Sequence, residues 1–330
     1  MNYNYLKIST LLIAFITFIS CETESDFENE TPSIANIAVS NADFSTLEDA
    51  AIQGGLAVTL SNSNPNDPSG SYTVFAPNND AFARLGLNSE TLGVLNDDFL
   101  TNTLLYHTSN GDLPSQNINT TDMFPSLLGV NRRFVERDGD LFINGSRILA
   151  TDINASNGTV HVIDKVMIGT GGDIVQSAIA LTQSEVFVNP ELTFLVEAVL
   201  YADLAEALSA SEDSPSFTVF APTDQAFIDL GNALGLTFDE PADIRQLPVE
   251  TVTAVLLNHV VANDGQFTSE LNQGMITPLG GEPLMLGAYD NGVLSVQGQG
   301  NQNPANMIIP DVQATNGVIH VVDTVLLPNL

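Results

Sequence analysis

Cysteine is nearly absent from this 330-residue chain: Cys21 stands alone. No intramolecular disulfide can form and a thiolate metal site is excluded, so the folded part relies on its apolar core. Tryptophan is missing, and beyond residue 20 the tyrosines are Tyr72, Tyr106, Tyr201 and Tyr289. Rings on which a sugar could stack are therefore few. Cations are scarce as well, with eight Lys and Arg against 40 Asp and Glu. Lys7 is the single charged residue among the first 20, so the remainder carries 7 − 40 = −33. A polyanion of this size repels nucleic acid and anionic headgroups, which excludes DNA and RNA as partners. It suits solubility where salt screens the carboxylates from one another. The lysines are Lys7 and Lys165, which leaves little room for phosphate-cradling or Schiff-base chemistry.

What is present is apolar material, 44% of the residues and spread along the whole length. That is enough for a core in each of about two domains, at roughly 150 residues per domain. The N-terminus reads MNYNYLKISTLLIAFITFISC, with Lys7 ahead of an apolar stretch from Ile8 to Ile19. This is the layout of a secretory signal, and the stretch is shorter than the ~20 residues of a membrane span. Ser20-Cys21 closing that stretch resembles the lipobox of bacterial lipoproteins, with Phe18 where that family usually has Leu. The resemblance implies a signal peptide over residues 1–20 and a diacylglycerol on the Cys21 sulfur. Residues 21–33 then form an acidic tether, with Glu22, Glu24, Asp26, Glu28 and Glu30 among small polar residues. An acidic run after the lipid cysteine resembles a surface-export signal. The expected location is the outer membrane facing the exterior, with the periplasmic face as the alternative.

Self-comparison organises the rest. SYTVFAPNNDAF from Ser71 matches SFTVFAPTDQAF from Ser216, an offset of 216 − 71 = 145. Leu104-Leu105-Tyr106-His107 matches Leu256-Leu257-Asn258-His259 at 256 − 104 = 152, and NGTVHVIDKVMI from Asn157 matches NGVIHVVDTVLL from Asn316 at 316 − 157 = 159. The second copy therefore carries two net insertions of seven residues, which belong in loops. Each copy opens with apolar residues at helical spacing, from Phe44 and from Leu192. Tyr72–Phe75 reads as a short strand that Pro77 ends, with Asn78 as the cap of a following helix. Asn157-Gly158 and Asn316-Gly317 read as hairpin turns into alternating strands. Arg133–Glu136 and Leu141–Ile143 read as a hairpin around Asp138-Gly139. Each copy is α+β, over 34–170 and 171–330 with the boundary at Gly169-Thr170-Gly171-Gly172, and each is expected to fold alone.

TVFAPxxxAF, a mid-domain histidine and NGxxHVxDxVL, in that order and twice, resemble the signature blocks of the fasciclin-like domain. The resemblance implies two tandem wedges of β-strands packed with several helices, in a secreted or surface-anchored protein of adhesion. Phe75, Pro77, His161 and Asp164, with Phe220, Pro222, His320 and Asp323, are its structural signature. The Tyr106-His107 pair and its counterpart Asn258-His259 are the candidate interaction or structural motif. A Tyr-His pair is linked to receptor adhesion in animal relatives, and the second copy lacks the tyrosine.

No catalytic motif stands in a strand–helix context. The four histidines form two repeat-equivalent pairs, 107/259 and 161/320, which points to architecture rather than catalysis. Neighbouring Asp164 and Asp323 fall on the strand face opposite their histidines. The Asn62–Asp67 loop is rich in oxygen but lacks the glycine and bidentate glutamate of a calcium loop. Arg132, Arg133 and Arg137 suggest an anion-reading patch, and the loop from Gly298 to Asn303 suggests hydrogen bonds to sugar hydroxyls. The functional expectation is an adhesion or interaction protein, or alternatively a binder of polysaccharide or a small apolar ligand. No enzyme activity, cofactor or metal is expected. The partner is a surface protein or polysaccharide, and the membrane is met through the lipid alone.

Overall fold

The computed structural model describes residues 31–183, 192–210, 216–263 and 265–329. Cys21 and the signal fall outside the described residues. Residues from Thr31 onward form one compact unit.

In copy one, α1 (Ile34–Ser40), α2 (Ser45–Gln53) and α3 (Ala57–Ser61) precede β1 (Tyr72–Pro77), α4 (Asn79–Ala83) and α5 (Asp97–His107). The strands β2 (Thr108–Asn110), β3 (Met123–Pro125), β4 (Asn131–Arg137), β5 (Asp140–Ile143), β6 (Ser146–Ala155) and β7 (Gly158–Ile163) follow. A two-residue strand, β8 (Ile168–Gly169), ends the copy. Copy two repeats the order: α6 (Ile174–Gln183), α7 (Thr193–Tyr201), α8 (Ala205–Leu208), β9 (Phe217–Pro222), α9 (Asp224–Ala233) and α10 (Val249–Leu257). Then come β10 (Val260–Ala262), β11 (Gly274–Ile276), β12 (Leu284–Leu286), β13 (Ser295–Gln297), β14 (Ala305–Ala314) and β15 (Gly317–Val322).

The sheets are duplicates. Copy one has the order β2-β1-β7-β6-β5-β4-β3 and copy two β10-β9-β15-β14-β13-β12-β11. The first signature strand pairs in parallel with the last, Phe75 opposite His161 and Phe220 opposite His320. A parallel pair flanked on both sides is buried on both faces, which is why TVFAP and VIHVV are almost continuously apolar. The helical start after each block is as expected. Asn78 and Thr223 cap α4 and α9 by accepting from the Ala81 and Ala226 amides. The hairpin at Asp138-Gly139 also forms, both residues at positive φ.

The Asn-Gly pairs depart from expectation. The turn residues are Ser156-Asn157 and Thr315-Asn316, and Asn157 and Asn316 are not at positive φ. Each asparagine instead clamps the copy's first helix: Asn157 Oδ1 accepts from Ile34 N and Asn316 Oδ1 from Ile174 N, both at 2.9 Å. Each glycine is needed for a close approach, since a Cβ would collide with the Tyr72 carbonyl at Gly158 and the Phe217 carbonyl at Gly317.

Candidate functional site

The mid-domain histidines end α5 and follow α10, where the last backbone carbonyls of a helix are turned toward them. His107 Nδ1 lies 2.7 Å from the Thr103 carbonyl, and Nε2 lies 2.9 Å from the Met167 amide. A carbonyl only accepts and an amide only donates, so the proton is on Nδ1 and the ring is neutral. His259 repeats this with the Val255 carbonyl (2.7 Å) and the Leu326 amide (2.8 Å). Each ring thus ties the end of a helix to the segment after the last signature strand. Burial pushes both down to about 4. His161 and His320 use the opposite tautomer. Their Nε2 faces the Leu113 and Gln266 carbonyls at 2.9 Å, and their Nδ1 accepts from the Asp152 and Asp311 amides. They stack on Phe75 and Phe220, and burial lowers both pKa values.

Asp164 and Asp323 do not meet these histidines. They lock the start of the last hairpin, accepting from the Arg147 amide (2.7 Å) and the Asn306 amide (2.8 Å). Pro77 and Pro222 end their strands opposite Ile163 and Val322. Tyr106 is buried and its hydroxyl meets Asn144 and Gln313, while Asn258 is buried and donates to the Leu326 carbonyl. The Tyr-His motif is thus interior in copy one and offers no surface for contact.

The arginine cluster is not an anion patch. Arg132 is fully buried inside copy one, donating to the Tyr106 carbonyl (2.9 Å), Ser109 Oγ and the Pro125 carbonyl, with its guanidinium over Phe75. Arg133 and Arg137 cross to copy two. Arg133 clasps Glu270 through two nitrogens, Nε at 2.7 Å, and lies over Phe267. Arg137 donates to the Thr268, Ser269 and Leu271 carbonyls and lies over Tyr289. Arg84 reaches the Asn291 carbonyl at 2.8 Å. The single lysine of the folded part, Lys165, is buried at the centre. Its Nζ meets Asp311 Oδ2 at 2.5 Å, with Thr268 Oγ and the Gly292 carbonyl each at 3.0 Å. Gly145 faces this carboxylate so closely that any Cβ there would strike it. In addition β8 pairs in parallel with β14, Ile168 opposite Val312, and Ile168 packs in the core of copy two. The two copies are therefore fastened by a cationic face of copy one set on an oxygen-rich face of copy two.

Sequence reasoning missed this face, and it missed Asp152 and Asp311. The scarcity of cations was the available signal, because four of the seven beyond residue 20 are used here. The Asn62–Asp67 loop closes on itself, with the Asp67 carboxylate taking the Ser69 and Ser71 amides and sitting below the usual range because of Ser69. The Gly298–Asn303 loop is held by the C-terminal segment: Asn301 bonds the Val325 carbonyl and the Leu327 amide. Among the described residues no group of His, Cys, Asp and Glu is placed to hold a metal, and no helix is long and apolar enough to cross a membrane.

The architecture defines a tandem of α+β wedge modules, each a strand layer packed with helices. The fasciclin domain model matches residues 42–169 and 190–328, and the chain belongs to that family. It is 36% identical over 137 residues to Protein sll1483 of Synechocystis sp., which covers 41% of this chain and 72% of that protein. Periostin of Homo sapiens is 28% identical over 271 residues, covering 79% of this chain and 29% of that protein. Transforming growth factor-beta-induced protein ig-h3 of Sus scrofa is 28% identical over 268 residues, 79% of this chain and 35% of that protein. The chain spans about a third of the length of these two animal relatives. Among solved structures, a FAS1 domain pair from the insect cell adhesion molecule Fasciclin I is similar over 89% of this chain and 95% of that chain. Its identity is 16% and its TM-score 0.38.

Proposed function

We propose that the chain is a cell-surface interaction protein that works by binding, held to the outer membrane through a lipid on Cys21. The observation that carries this reading is the use of all four histidines and Lys165 by the architecture. Both nitrogens of all four histidines face protein partners, and Lys165 is sealed between the copies. What is left to meet other molecules is the outer surface of two fixed modules. The signal layout ending in Ser20-Cys21 supports the anchor, and the acidic tether supports display on the outer face. Membership of the fasciclin domain family supports adhesion as the task.

A second reading, binding of a small apolar molecule, is favoured by one observation. Copy one holds a cavity of about 200 Å³ beneath α1, lined by Ile34, Ile37, Phe44, Leu47, Leu60 and Leu104. The matching space in copy two is about 50 Å³.

One experiment tests both. Cells displaying the chain should adhere to a matrix or to neighbouring cells, and external protease should remove both the protein and the adhesion. Cys21→Ser should release the protein and abolish cell adhesion while the purified protein keeps its fold. Adhesion unchanged after shaving overturns the proposal. Capture of a fluorescent fatty acid by a chain that supports no adhesion would favour the second reading instead.

A further inference from the structure

The repeat places two copies of one small device on the molecule, and only one of them is occupied. In copy two, a bulge in β14 puts Asp311 at φ +67. Its carboxylate accepts from the Thr268 amide and hydroxyl, both at 2.7 Å, and then receives the ammonium of Lys165. In copy one, the matching bulge in β6 puts Asp152 at φ +60. Asp152 is 159 residues before Asp311, the offset of the surrounding signature block. Its carboxylate accepts from the Ser115 amide at 2.7 Å and from the Ser115 hydroxyl, as Asp311 does from Thr268. The histidine behind is the same in both, His161 or His320.

The difference lies in front. Asp311 is buried under copy one, whereas Asp152 is exposed and no module covers it. Hydrogen bonds from Ser115 hold the Asp152 carboxyl below the usual range, and the carboxylates of Asp152 and Asp112 both act on His161. The turn Ser115–Asn117, counterpart of the Thr268–Glu270 turn on which Arg137 sits, is likewise open. An acidic surface alone would carry nothing. Here the matching pair in copy two, an aspartate bonded by the amide and hydroxyl of a Thr instead of a Ser, holds an ammonium together with the Gly292 carbonyl.

We propose that the Asp152–Ser115 socket is a docking point for a lysine side chain of a partner protein, flanked by further cations, as Asp311–Thr268 is for Lys165. The partner is a different protein. Copy two has Thr324 where copy one has Lys165, and its single base, Arg245, is paired with Glu197, so copy two of a second molecule offers no lysine to the socket. Lys165 itself is already engaged. The charge of −33 beyond residue 20 steers a basic surface toward the chain. The inference rests on the binding reading above and names the chemistry of one contact.

The test uses the whole mature chain labelled with ¹³C at histidine Cε1, which gives four signals. The probe is acetyl-Arg-Lys-Arg-amide, with acetyl-Gln-norleucine-Gln-amide as control. The expected result is a saturable shift of the His161 signal alone with the cationic peptide and none with the control. Asp152→Asn should abolish that shift, while His320, whose socket is filled, should stay still throughout. An unmoved His161, an equal response in Asp152→Asn, or concerted movement of all four signals would overturn the proposal. The titration contains no cells, so a failed socket and a failed adhesion assay are read separately.

Discussion

At the scale of single residues, the mid-domain histidines show how a polar side chain earns a place in a core. His107 and His259 each bind two backbone groups, a helix carbonyl and the amide of Met167 or Leu326, and the amide has the ring nitrogen as its acceptor. Removing the ring leaves that buried amide unpaired, at about 1–3 kcal/mol for such a group. His107→Ala and His259→Ala should therefore lower the melting temperature, and adhesion should fall only in proportion to unfolding. A stable variant that no longer adheres would reassign the histidine to a contact site. The same rings make stability depend on pH. Each is held at about 4 when folded against 6.5 when free. The unfolded chain binds more protons between those values, so the contribution is complete above pH 6.5 and is lost as pH falls to about 4. At 1.36 kcal/mol per unit the loss is about 3 kcal/mol for each ring. His161 and His320, also lowered by burial, act in the same direction. Protonation of carboxylates relieves the repulsion of a polyanion and pulls the other way. Urea midpoints measured from pH 7 to 4 should thus fall more steeply in the wild type than in His107→Gln. Parallel curves would refute the assignment.

At the scale of elements, the signature blocks were legible because they are local. A β-prone run ended by Pro77 and capped by Asn78 needs no distant partner to be read, nor does the Asp138-Gly139 hairpin. The pairing of β1 with β7 was not legible. These strands lie some 80 residues apart, and nothing in either says that they run in parallel. For the same reason the role of Asn157 was misread. Asn-Gly is a turn signal by local chemistry, but the tertiary demand of α1 for a cap overrides it. Asp152 and Asp311 were open to discovery, since they recur at the offset of 159, but a lone aspartate in a polyanion carries no signal without its bulge. The close approach at Gly158 gives an element-scale prediction. Its Cβ would meet backbone, the Tyr72 carbonyl, rather than a side chain that could swing aside. Gly158→Ala should part β7 from β1 and cost several kcal/mol, on the order of the larger single-residue effects. Ala substitution at Gly86, which has open space but φ +71, should cost far less. Equal losses at the two sites, measured by chemical denaturation, would show that the β1–β7 contact is not tight.

At the scale of the whole molecule, the two copies have separate cores and one shared boundary. The buried cores are built from different residues, Ile34 to Val160 in one and, apart from Ile168, Ile174 to Val325 in the other, which favours folding copy by copy. The boundary argues for coupling. Cutting after residue 170 would strip β8 from β14, withdraw Ile168 from the core of copy two, and leave Lys165 and Asp311 without each other. A buried pair gains little over an apolar replacement of both partners. Loss of one partner, however, leaves an uncompensated charge at a cost of about 3–5 kcal/mol. The intact chain should therefore melt in a single transition although each copy has a core of its own. Lys165→Met abandons the Asp311 carboxylate to Thr268 alone and should separate the transitions. The double change Lys165→Met with Asp311→Asn removes the stranded charge, so it should recover part of the loss and bring the transitions closer again. Scanning calorimetry reads this through the ratio of calorimetric to van't Hoff enthalpy. That ratio should be near unity in the wild type, higher in Lys165→Met and intermediate in the double variant. Two resolved transitions in the wild type would mean that the cationic face joins the copies without coupling their stability.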